Sequence, residues 1–524
     1  MNREASLKRA MSETRPWDVV VIGGGATGLG CALDAVSRGY TALLVEQADF
    51  AKATSSRSTK LAHGGVRYLQ QGNLSLVLEA LKERGRMLRN APHLVRRQSF
   101  VIPAYSAWEV PFYGIGLTMY DALSGKASFG RSRMLGKATV KQMLPTVVGD
   151  HLAGGVEYYD GQFDDARYCL ALAQTLEEKG GTALNYARMV GLHKTNGRIS
   201  GVSIRDLESE TTFDVQARVV INATGIFTDE VRVLDEQDAT PMLTVSQGSH
   251  FVLPKEFLPG THALMVPKTA DGRVLFAIPW HGAVVVGTTD EGVPAASLEP
   301  RAMAGEREFL RHHIGLYFGR QPKPEEVLSM WSGLRPLVRK QGAKNTAALS
   351  REHTVVVSES KLVSITGGKW TTYRRMAEDT VNVAAEAAGL ARQPSQTQEL
   401  RLHGWTAEAA AHLDAEHELA VYGGDQAAID ALAADDTTLA QPLHARLPYR
   451  MAEVAWAARH EMARTVEDVL ARRTRALFLD ARAASEAAPA VAACMAATLG
   501  KDAAWQQQQI ESFRAIASGY IYEG

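Results

Sequence analysis

Three glycines near the start of the chain have the spacing of a turn that binds a dinucleotide. Gly23, Gly25 and Gly28 form G-x-G-x-x-G directly after a run of β-branched residues. The first glycine allows a tight turn, the second lets a pyrophosphate approach the backbone, and the third lets the next helix pack closely. The helix N-terminus then offers free N–H groups to the phosphates. Glu46, eighteen residues after Gly28, stands about where an acid accepts a hydrogen bond from a ribose hydroxyl.

Two further turns of small residues indicate which dinucleotide this is. The stretch VVINATG, residues 219–225, reads as a buried strand that ends in a turn at Thr224 and Gly225. The stretch Gly367–Lys369 is another glycine turn, before a predicted helix, and its N–H groups could stabilise negative charge on a flavin ring. A sheet that is completed this late suits a flavoprotein better than a simple nicotinamide dehydrogenase. The three turns together predict bound FAD.

The elements that must position these turns predict an α/β protein. Apolar periodicity predicts helices over Leu74–Arg89 and Asp164–Gly180, and alternation predicts a β-meander over Val190–Val220. The stretch Met242–Asp290 is mostly strand-like, and from about Leu400 the sequence is alanine-rich and helical in period. We expect a Rossmann-like FAD-binding domain of the glutathione-reductase or amino-acid-oxidase type, a mixed-sheet substrate domain and an all-helical C-terminal domain. The expected bounds are 17–98, 151–241 and 345–392 for the FAD-binding domain, 99–150 and 242–344 for the substrate-binding domain, and 399–524 for the helical domain.

Composition argues against several other classes of protein. The 524 residues carry a net charge of −1, which gives no electrostatic reason to expect a nucleic-acid partner. The three cysteines lie far apart, so we expect neither a disulfide framework nor a metal site. The first sixteen residues lack an apolar core and no run of eighteen apolar residues occurs, so we expect no secretory signal and no spanning helix.

Five stretches of the chain together resemble the FAD-dependent glycerol-3-phosphate dehydrogenase family. They are GGGATGLGCALDAVSRG, ATSSRSTKLAHGGVRYL, SGLRPL, GGKWTTYRRMAED and HEMARTVEDVLARRTRALFLDA, and the resemblance runs from about Trp17 to Tyr520. It implies oxidation of sn-glycerol 3-phosphate to dihydroxyacetone phosphate, with hydride passing from C2 to flavin N5 and electrons passing on to a quinone. It also implies a peripheral enzyme on the cytoplasmic side of the inner or cytoplasmic membrane, and it leaves a homodimer possible.

The expected FAD site combines the three turns with the hydroxyl-rich stretch over residues 53–69. The flavin is expected to bind without a covalent link. The residues expected to bind it are Gly23, Gly25, Gly28, Glu46, Ser55, Ser56, Thr59, Lys60, Leu61, Thr224, Gly225, Gly367, Gly368 and Lys369.

The resemblance also places a substrate pocket on Arg67, Tyr68, Arg335 and Lys369. A phosphate dianion needs convergent cations in a protected site. The three cations of this set, Arg67, Arg335 and Lys369, each lie in a motif bounded by glycine or proline. As an alternative to base catalysis, Arg335 and Lys369 could instead stabilise a developing alkoxide. His63 is the candidate base for the C2 hydroxyl proton, because the ordinary pKa of histidine, about 6.5, suits proton transfer at neutral pH. The alternative is that His63 only hydrogen-bonds the flavin or the backbone.

Two segments depart from the family pattern. Gln247 precedes Gly248-Ser249-His250 where the family has a cation, which puts a cationic role at that position in doubt. The stretch Phe100–Tyr120 aligns with a membrane-contacting region but contains no Lys or Arg. Membrane contact there would rest on apolar burial, and a buried subdomain core is the alternative. The aromatic residues expected at a membrane surface are Trp108, Phe112, Tyr113 and Tyr120.

Other functions stay open at this point. One is an oxidase of the same substrate that passes electrons to oxygen and makes peroxide. A second is an amino-acid or amine oxidase of the same flavoprotein fold, which would need a carboxylate-binding arginine. A third is a flavin-binding protein without catalysis that acts as a scaffold through its helical C-terminal domain.

Overall fold

The computed structural model describes residues 1–65, 73–125, 129–269, 272–339, 353–411 and 420–524. Within these ranges the chain forms two large β-sheets with packed helices, followed by a helical C-terminal region. This arrangement confirms the expected α/β fold.

Strands and helices are distributed along the whole described chain. The strands are β1 (Trp17–Ile22), β2 (Ala42–Val45), β3 (Leu61–Ala62), β4 (Val95–Ala104), β5 (Arg133–Gly136), β6 (Gly154–Phe163), β7 (Thr182–Leu184), β8 (Ala187–Thr195), β9 (Arg198–Asp206), β10 (Thr212–Asn222), β11 (Leu243–Pro254), β12 (Ala263–Val266), β13 (Leu275–Trp280), β14 (Ala283–Gly287), β15 (Glu291–Val293), β16 (Ser329–Val338), β17 (His353–Val357) and β18 (Val363–Gly367). The helices are α1 (Arg3–Ser12), α2 (Ala26–Ser37), α3 (Leu74–Asn90), α4 (Glu109–Ser124), α5 (Lys137–Met143), α6 (Asp165–Glu178), α7 (Thr228–Asp235), α8 (Ala304–Phe318), α9 (Tyr373–Ala388), α10 (Ala407–Ala411), α11 (Gln426–Asp435), α12 (Met451–His460), α13 (Ala476–Leu479), α14 (Ala481–Leu499) and α15 (Ala503–Ala517).

The first sheet has eight strands, and β1 lies near its centre. Its main order is β17–β18–β10–β1–β2–β7, and β1 is parallel to both β2 and β10. Val19 and Val21 belong to one apolar cluster with helices α2, α6 and α9, whereas Val20 and Ile22 belong to another with β8 and β9. Parallel strands that are buried on both faces are continuous apolar runs, and this is why the sequence identifies β1 so clearly.

The β-meander expected over residues 190–220 is present as β8, β9 and β10. β8 and β9 pair antiparallel up to Thr195 and Arg198, so Asn196 and Gly197 form a two-residue turn. Both turn residues have positive φ angles, 50° and 75°, as a tight hairpin of this kind requires. The Asn-Gly dipeptide is therefore a sufficient local signal for this hairpin.

The second sheet has ten strands and is mixed, as expected. β11 pairs antiparallel with β14, β15 and β16, and β4 pairs antiparallel with β6 along its whole length. β12 joins these two parts, because it is parallel to β4 and antiparallel to β13. β3 and β6 belong to this sheet, although they lie in ranges that the sequence analysis gives to the FAD-binding domain. The long pairing with β4 is what draws β6 into the second sheet, and the domain bounds stay a prediction.

The C-terminal region is helical and packs on the second sheet. Trp280 of β13 and Trp331 of β16 are buried in one apolar cluster with Phe478 and with the alanine-rich helix α14. A π-helical turn over Asp468–Arg473 lies between α12 and α13. Within the described ranges, no helix combines the length and the apolar character that crossing a membrane requires.

The apolar stretch over residues 100–120 is divided between the end of β4 and the helix α4. Tyr120 is buried, and its hydroxyl donates to Asp160 at 3.1 Å. Its expected place at a membrane surface is therefore wrong, because the helical period turns Tyr120 toward the protein interior. Trp108 and Phe112 are exposed, so for these two residues the buried-core alternative is wrong instead.

Candidate active site

A cavity of about 240 Å³ lies at the carboxyl ends of the parallel strands of the first sheet. Its wall includes the residues that directly follow β1, β2 and β10 and the end of β18. Open α/β sheets bind ligands at this edge, where loops and helix N-termini meet. Of the residues expected to bind FAD, those at the cavity wall are Gly23, Gly25, Glu46, Ser55, Thr224, Gly225, Gly367, Gly368 and Lys369.

The first glycine turn is packed so closely that side chains do not fit. Gly23 has a φ of 110°, and a Cβ there would lie 2.6 Å from the carbonyl oxygen of Ala223. A Cβ on Gly28 would lie 1.9 Å from the carbonyl oxygen of Gly23, so α2 can begin this close to β1 only with glycine. Gly25 is the N-cap of α2 and faces the cavity, whereas Gly28 lies behind the turn.

Glu46 follows β2 and fixes the shape of this turn. Its carboxylate accepts hydrogen bonds from the N–H groups of Gly24 at 2.6 Å and Ala48 at 2.8 Å. Burial raises the pKa of this carboxyl group, and the two backbone hydrogen bonds oppose that shift. Sequence reasoning assigned only a ribose to Glu46, and the structure adds the backbone of the turn. A carboxylate has lone pairs enough for both partners.

Ser55 connects two of the glycine turns. Its Oγ accepts from the N–H of Ala26, at the start of α2, at 3.0 Å. Its carbonyl oxygen accepts from the indole Nε1–H of Trp370 at 2.9 Å. Trp370 also lines the cavity, and sequence reasoning missed it. Its position directly after Gly367–Lys369 was the signal that could have found it.

The hydroxyl-rich stretch turns away from the described cavity wall after Ser55. Lys60 is buried, and its Nζ donates to Asp165 at 2.8 Å. Burial and the neighbouring Arg475 lower the pKa of Lys60 to about 7, against the opposing effect of Asp165. The expected FAD residues of this stretch that do not line the described cavity are Ser56, Thr59, Lys60 and Leu61.

His63 and Lys369 come together at the third glycine turn. Lys369 lines the cavity, and the hydroxyl of Thr371, two residues on, donates to the carbonyl oxygen of His63 at 3.4 Å. The candidate base and one candidate cation therefore lie in neighbouring backbone segments. Arg67 and Tyr68, the other expected substrate residues of this stretch, lie outside the described residues.

Arg335 lies on β16, one residue before Pro336, which lines the cavity. Its guanidinium donates to the hydroxyl of Thr288 at 3.0 Å and to the carbonyl oxygen of Thr289 at 3.1 Å. A Cβ on Gly248 would lie 2.1 Å from this guanidinium, so β11 has a glycine where the arginine crosses it. The side chain is 26% exposed, which leaves it accessible to a ligand.

The Gly-Ser-His motif of β11 supplies a buried histidine that sequence reasoning did not select. The ring of His250 stacks on Trp331 with centroids 3.9 Å apart and shares a 3.0 Å hydrogen bond with the hydroxyl of Thr59. Burial lowers the pKa of His250 far below its usual value, and nearby cations add to the shift, so the ring is neutral. Gln247, where the family pattern has a cation, donates to Glu306 at 2.6 Å and so has a structural partner.

The described wall suits a dinucleotide such as FAD. Gly23 and Gly25 leave bare backbone at the cavity, and Ala26 and Thr27, the first residues of α2, line the same space. A helix N-terminus attracts phosphate through its N–H groups and its dipole. These features suit a pyrophosphate, and the role of Glu46 as the partner of a ribose hydroxyl stays a prediction.

Two family models match the chain. Residues 18–374 match the FAD dependent oxidoreductase family. Residues 358–508 match the C-terminal domain of alpha-glycerophosphate oxidase, which corresponds to most of the helical C-terminal region.

Curated relatives match almost the whole chain. It is 40% identical over 545 residues to the mitochondrial glycerol-3-phosphate dehydrogenase of Homo sapiens, which covers 98% of this chain and 74% of the relative. It is 40% identical over 543 residues to a mitochondrial glycerol-3-phosphate dehydrogenase of Arabidopsis thaliana, covering 96% of this chain and 86% of the relative.

Solved structures agree with this assignment. The X-ray structure of the glycerol-3-phosphate dehydrogenase from Bacillus halodurans complexed with FAD superposes with a TM-score of 0.81 at 27% identity, covering 99% of this chain and 97% of that chain. Glycine oxidase from Geobacillus kaustophilus, with a TM-score of 0.52 at 17% identity over 74% of this chain and 99% of that chain, shares the fold alone. The chain therefore belongs to the FAD-dependent oxidoreductase family and, within it, to the glycerol-3-phosphate dehydrogenases.

Proposed function

We propose that the protein oxidises sn-glycerol 3-phosphate to dihydroxyacetone phosphate and passes the electrons to a quinone at a membrane surface. The observation that carries the proposal is 40% identity, over 98% of the chain, to an enzyme named for this substrate. The structure supports it with Lys369 at the cavity wall and with Arg335 next to Pro336, which lines the same cavity. Cations in a protected site suit a phosphate dianion.

The residues divide the reaction into binding and proton transfer. FAD, when bound, accepts the hydride that leaves C2 of the substrate. As the C2–H bond breaks with its electron pair, the C2–O bond becomes a carbonyl and the hydroxyl proton passes to the imidazole of His63. Arg335 and Lys369 hold the phosphate, and their charge stabilises the oxygen while its proton leaves.

Anaerobic reduction of the bound flavin tests this reaction directly. We expect sn-glycerol 3-phosphate to bleach the flavin absorbance, and glycerol to do so at least about tenfold more slowly, because glycerol lacks the charge-assisted phosphate contacts. Equal rates with the two alcohols would contradict phosphate recognition. Bleaching by amino acids alone would make the protein an amino-acid oxidase, and a flavin that no substrate reduces would favour a scaffold.

The electron acceptor is the second part of the proposal. The match of residues 358–508 to a domain of alpha-glycerophosphate oxidase is a specific observation in favour of oxygen as the electron acceptor. We assign a quinone because the curated relatives are named dehydrogenases. Turnover with a soluble ubiquinone analogue, measured together with peroxide, separates the two acceptors. Peroxide formed in equal amount to the ketone product would make the enzyme an oxidase.

Four apolar side chains at α4 support contact with a membrane, and we call them the apolar stripe. Trp108, Phe112, Ile115 and Met119 are 64, 52, 61 and 53% exposed. Their spacing of three and four residues places them on one helical face. Exposed apolar faces of this size mark a partner or a lipid surface. We place peripheral contact with the cytoplasmic side of the membrane here.

Flotation with phosphatidylcholine vesicles tests the apolar stripe. Trp108→Ser combined with Phe112→Ser should leave the protein unbound while dye-linked activity persists. The matched control is Leu316→Ser with Val357→Ser, which removes two exposed apolar side chains elsewhere. Wild-type binding should persist in high salt, because α4 contains no Lys or Arg. Equal loss of vesicle binding in both double variants would contradict a specific role of the apolar stripe in membrane contact.

A further inference from the structure

One wall of the cavity is formed by a segment that also contacts the helical C-terminal region. Residues 51–55 line the cavity, and they belong to a loop segment over residues 49–57. Asp49, at its start, is buried and accepts from Arg472 Nε at 2.5 Å and from Arg473 at 3.0 Å. Both arginines belong to the π-helical turn, so the C-terminal region holds the beginning of the loop segment.

The same region also holds the loop segment farther along. Lys52 forms an ion pair with Glu467, at the start of the π-helical turn. The guanidinium of Arg57 lies 5.7 Å from the ring centroids of both Phe478 and Tyr520. The loop segment is therefore attached to the C-terminal region at both ends and in the middle.

The most buried part of this contact surrounds the carbonyl oxygen of Ser56. Arg475 donates to it at 2.8 Å and Lys60 at 2.7 Å. Both cations also donate to Asp165, Lys60 at 2.8 Å and Arg475 at 3.1 Å. Each of these four residues is at most 1% exposed. Charge-assisted hydrogen bonds in such a dry setting hold their geometry firmly.

Ser56 transmits this geometry to the cavity through its neighbour. Ser55 joins the first glycine turn, through Ala26, to the third glycine turn, through Trp370. A displacement of Ser56 therefore changes the distance between two turns that face the same cavity. Among the described residues Arg475 is not part of the cavity wall, and its hydrogen bond to Ser56 connects it to that wall through the loop segment.

We propose that Arg475 is a positioning residue for FAD. It fixes Ser56 and, through Ser55, the spacing of the two glycine turns, so the C-terminal region determines how tightly FAD is held. This inference depends on FAD binding and not on the identity of the substrate, so failure of the glycerol 3-phosphate assays would leave it standing.

The test is titration of the full-length apoprotein with FAD, followed by flavin fluorescence. Arg475→Met should weaken FAD binding roughly tenfold, because it removes the charged donor to Ser56 and Asp165. Arg475→Lys should recover part of this affinity, since one ammonium can reach one of the two acceptors. Amide hydrogen exchange over residues 51–56 should be slowest in the wild type, faster in Arg475→Lys and fastest in Arg475→Met. At saturating FAD the KM for substrate should change by less than about twofold.

Arg482→Met is the matched control. Arg482 lies in the same C-terminal region and donates to the carbonyl oxygens of Val327 at 3.1 Å and Tyr522 at 3.0 Å, away from the loop segment. It should lower thermal stability without changing FAD affinity. Unchanged FAD affinity in Arg475→Met, or equal weakening in Arg482→Met, would overturn the proposal. If Arg475→Met does not fold, Arg475→Lys decides alone, and wild-type affinity and exchange in that variant would overturn it.

Discussion

Two groups of positive charge lie around the same cofactor cavity and differ in how they are satisfied. Arg472, Arg473 and Arg475 are at most 2% exposed, and each is paired with a buried carboxylate. Arg335 is 26% exposed, and its guanidinium forms an ion pair with Asp290 at 3.4 Å. The buried group holds two parts of the chain together. The exposed guanidinium of Arg335 can also be reached by an anion from solvent.

The two lysines of the expected site differ in their surroundings, although the Nζ of Lys369 is buried as well. Lys60 is buried and paired with Asp165, whereas Lys369 lines the cavity. Removing one member of a buried ion pair leaves an uncompensated charge and lowers the free energy of unfolding. Removing a cation of the substrate site should leave the fold intact and weaken substrate binding. The comparison therefore predicts a large loss of stability for the buried pairs only, and at Arg475 the effect on FAD affinity comes in addition to that loss.

The largest expected effect lies on the cavity side. His63→Asn should slow anaerobic flavin reduction by glycerol 3-phosphate about 10²–10⁴-fold, because a positioned base contributes that much. Stopped-flow absorbance at several substrate concentrations separates the reduction rate from binding. An unchanged reduction rate would leave His63 with a hydrogen-bonding role only.

The next effect lies on the buried side. Asp49→Asn should lower the free energy of unfolding by about 3–5 kcal/mol, because Arg472 and Arg473 lose their shared charge partner in the interior. Urea denaturation at saturating FAD measures this. Asp430→Asn is the control, since Asp430 pairs with Arg450 at the surface, and it should change stability by less than about 1 kcal/mol. Similar losses in both variants would remove the distinction between the two groups of charge.

Arg335 and Lys369 should show the opposite pattern, with a large effect on turnover and a small effect on stability. Arg335→Ala and Lys369→Ala should each reduce kcat/KM for glycerol 3-phosphate roughly ten- to hundredfold, from the loss of about 1.5–3 kcal/mol per charge-assisted contact. Melting temperatures should move far less than for Asp49→Asn. Arg218→Ala, an exposed cation on β10, is the control. If glycerol and glycerol 3-phosphate lose activity equally, these residues do not recognise the phosphate.

The smallest effect concerns pH. His403 shares hydrogen bonds with Asp425 at 2.8 Å and with Glu178. Burial alone would lower the pKa of His403, but these two partners outweigh it and raise the pKa above its usual value. A raised pKa in the folded state gives stability that is complete below about pH 6.5 and is lost as pH rises through the folded value.

We therefore expect the free energy of unfolding to fall, by less than about 1 kcal/mol, as pH increases through this range. His403→Gln should flatten that part of the curve, and urea denaturation at a series of pH values compares the two proteins. Parallel curves would show that His403 contributes nothing to the pH dependence.

Backbone geometry could be predicted from the sequence at positions where the local residue types determine it. Gly28 is required by a contact within the turn itself, Gly23 has a φ of 110° that favours glycine, and Asn196-Gly197 forms its hairpin from the φ angles of two residues.

The partners and the burial of individual side chains could not be predicted from the sequence, because residues far away along the chain determine them. Lys60 lies in a motif as suggestive as that of Lys369, but its partner Asp165 stands 105 residues away. Tyr120 reads as one more aromatic residue in an apolar stretch until the start of α4 fixes which face it occupies. Only then does the helical period separate it from Trp108 and Phe112.

The first sheet also determines when the enzyme can acquire its cofactor. β1 ends at Ile22, but β18, which pairs with β10 and leads into the third glycine turn, begins only at Val363. At about 5–20 residues per second, roughly 20–70 s of translation separate these two strands. Until then β10 has an unpaired edge and the cavity lacks one wall, and the arginines of the π-helical turn emerge later still. The complete cavity therefore cannot form before β18 and the third glycine turn have been synthesised, and FAD that is present earlier in translation meets only part of its site.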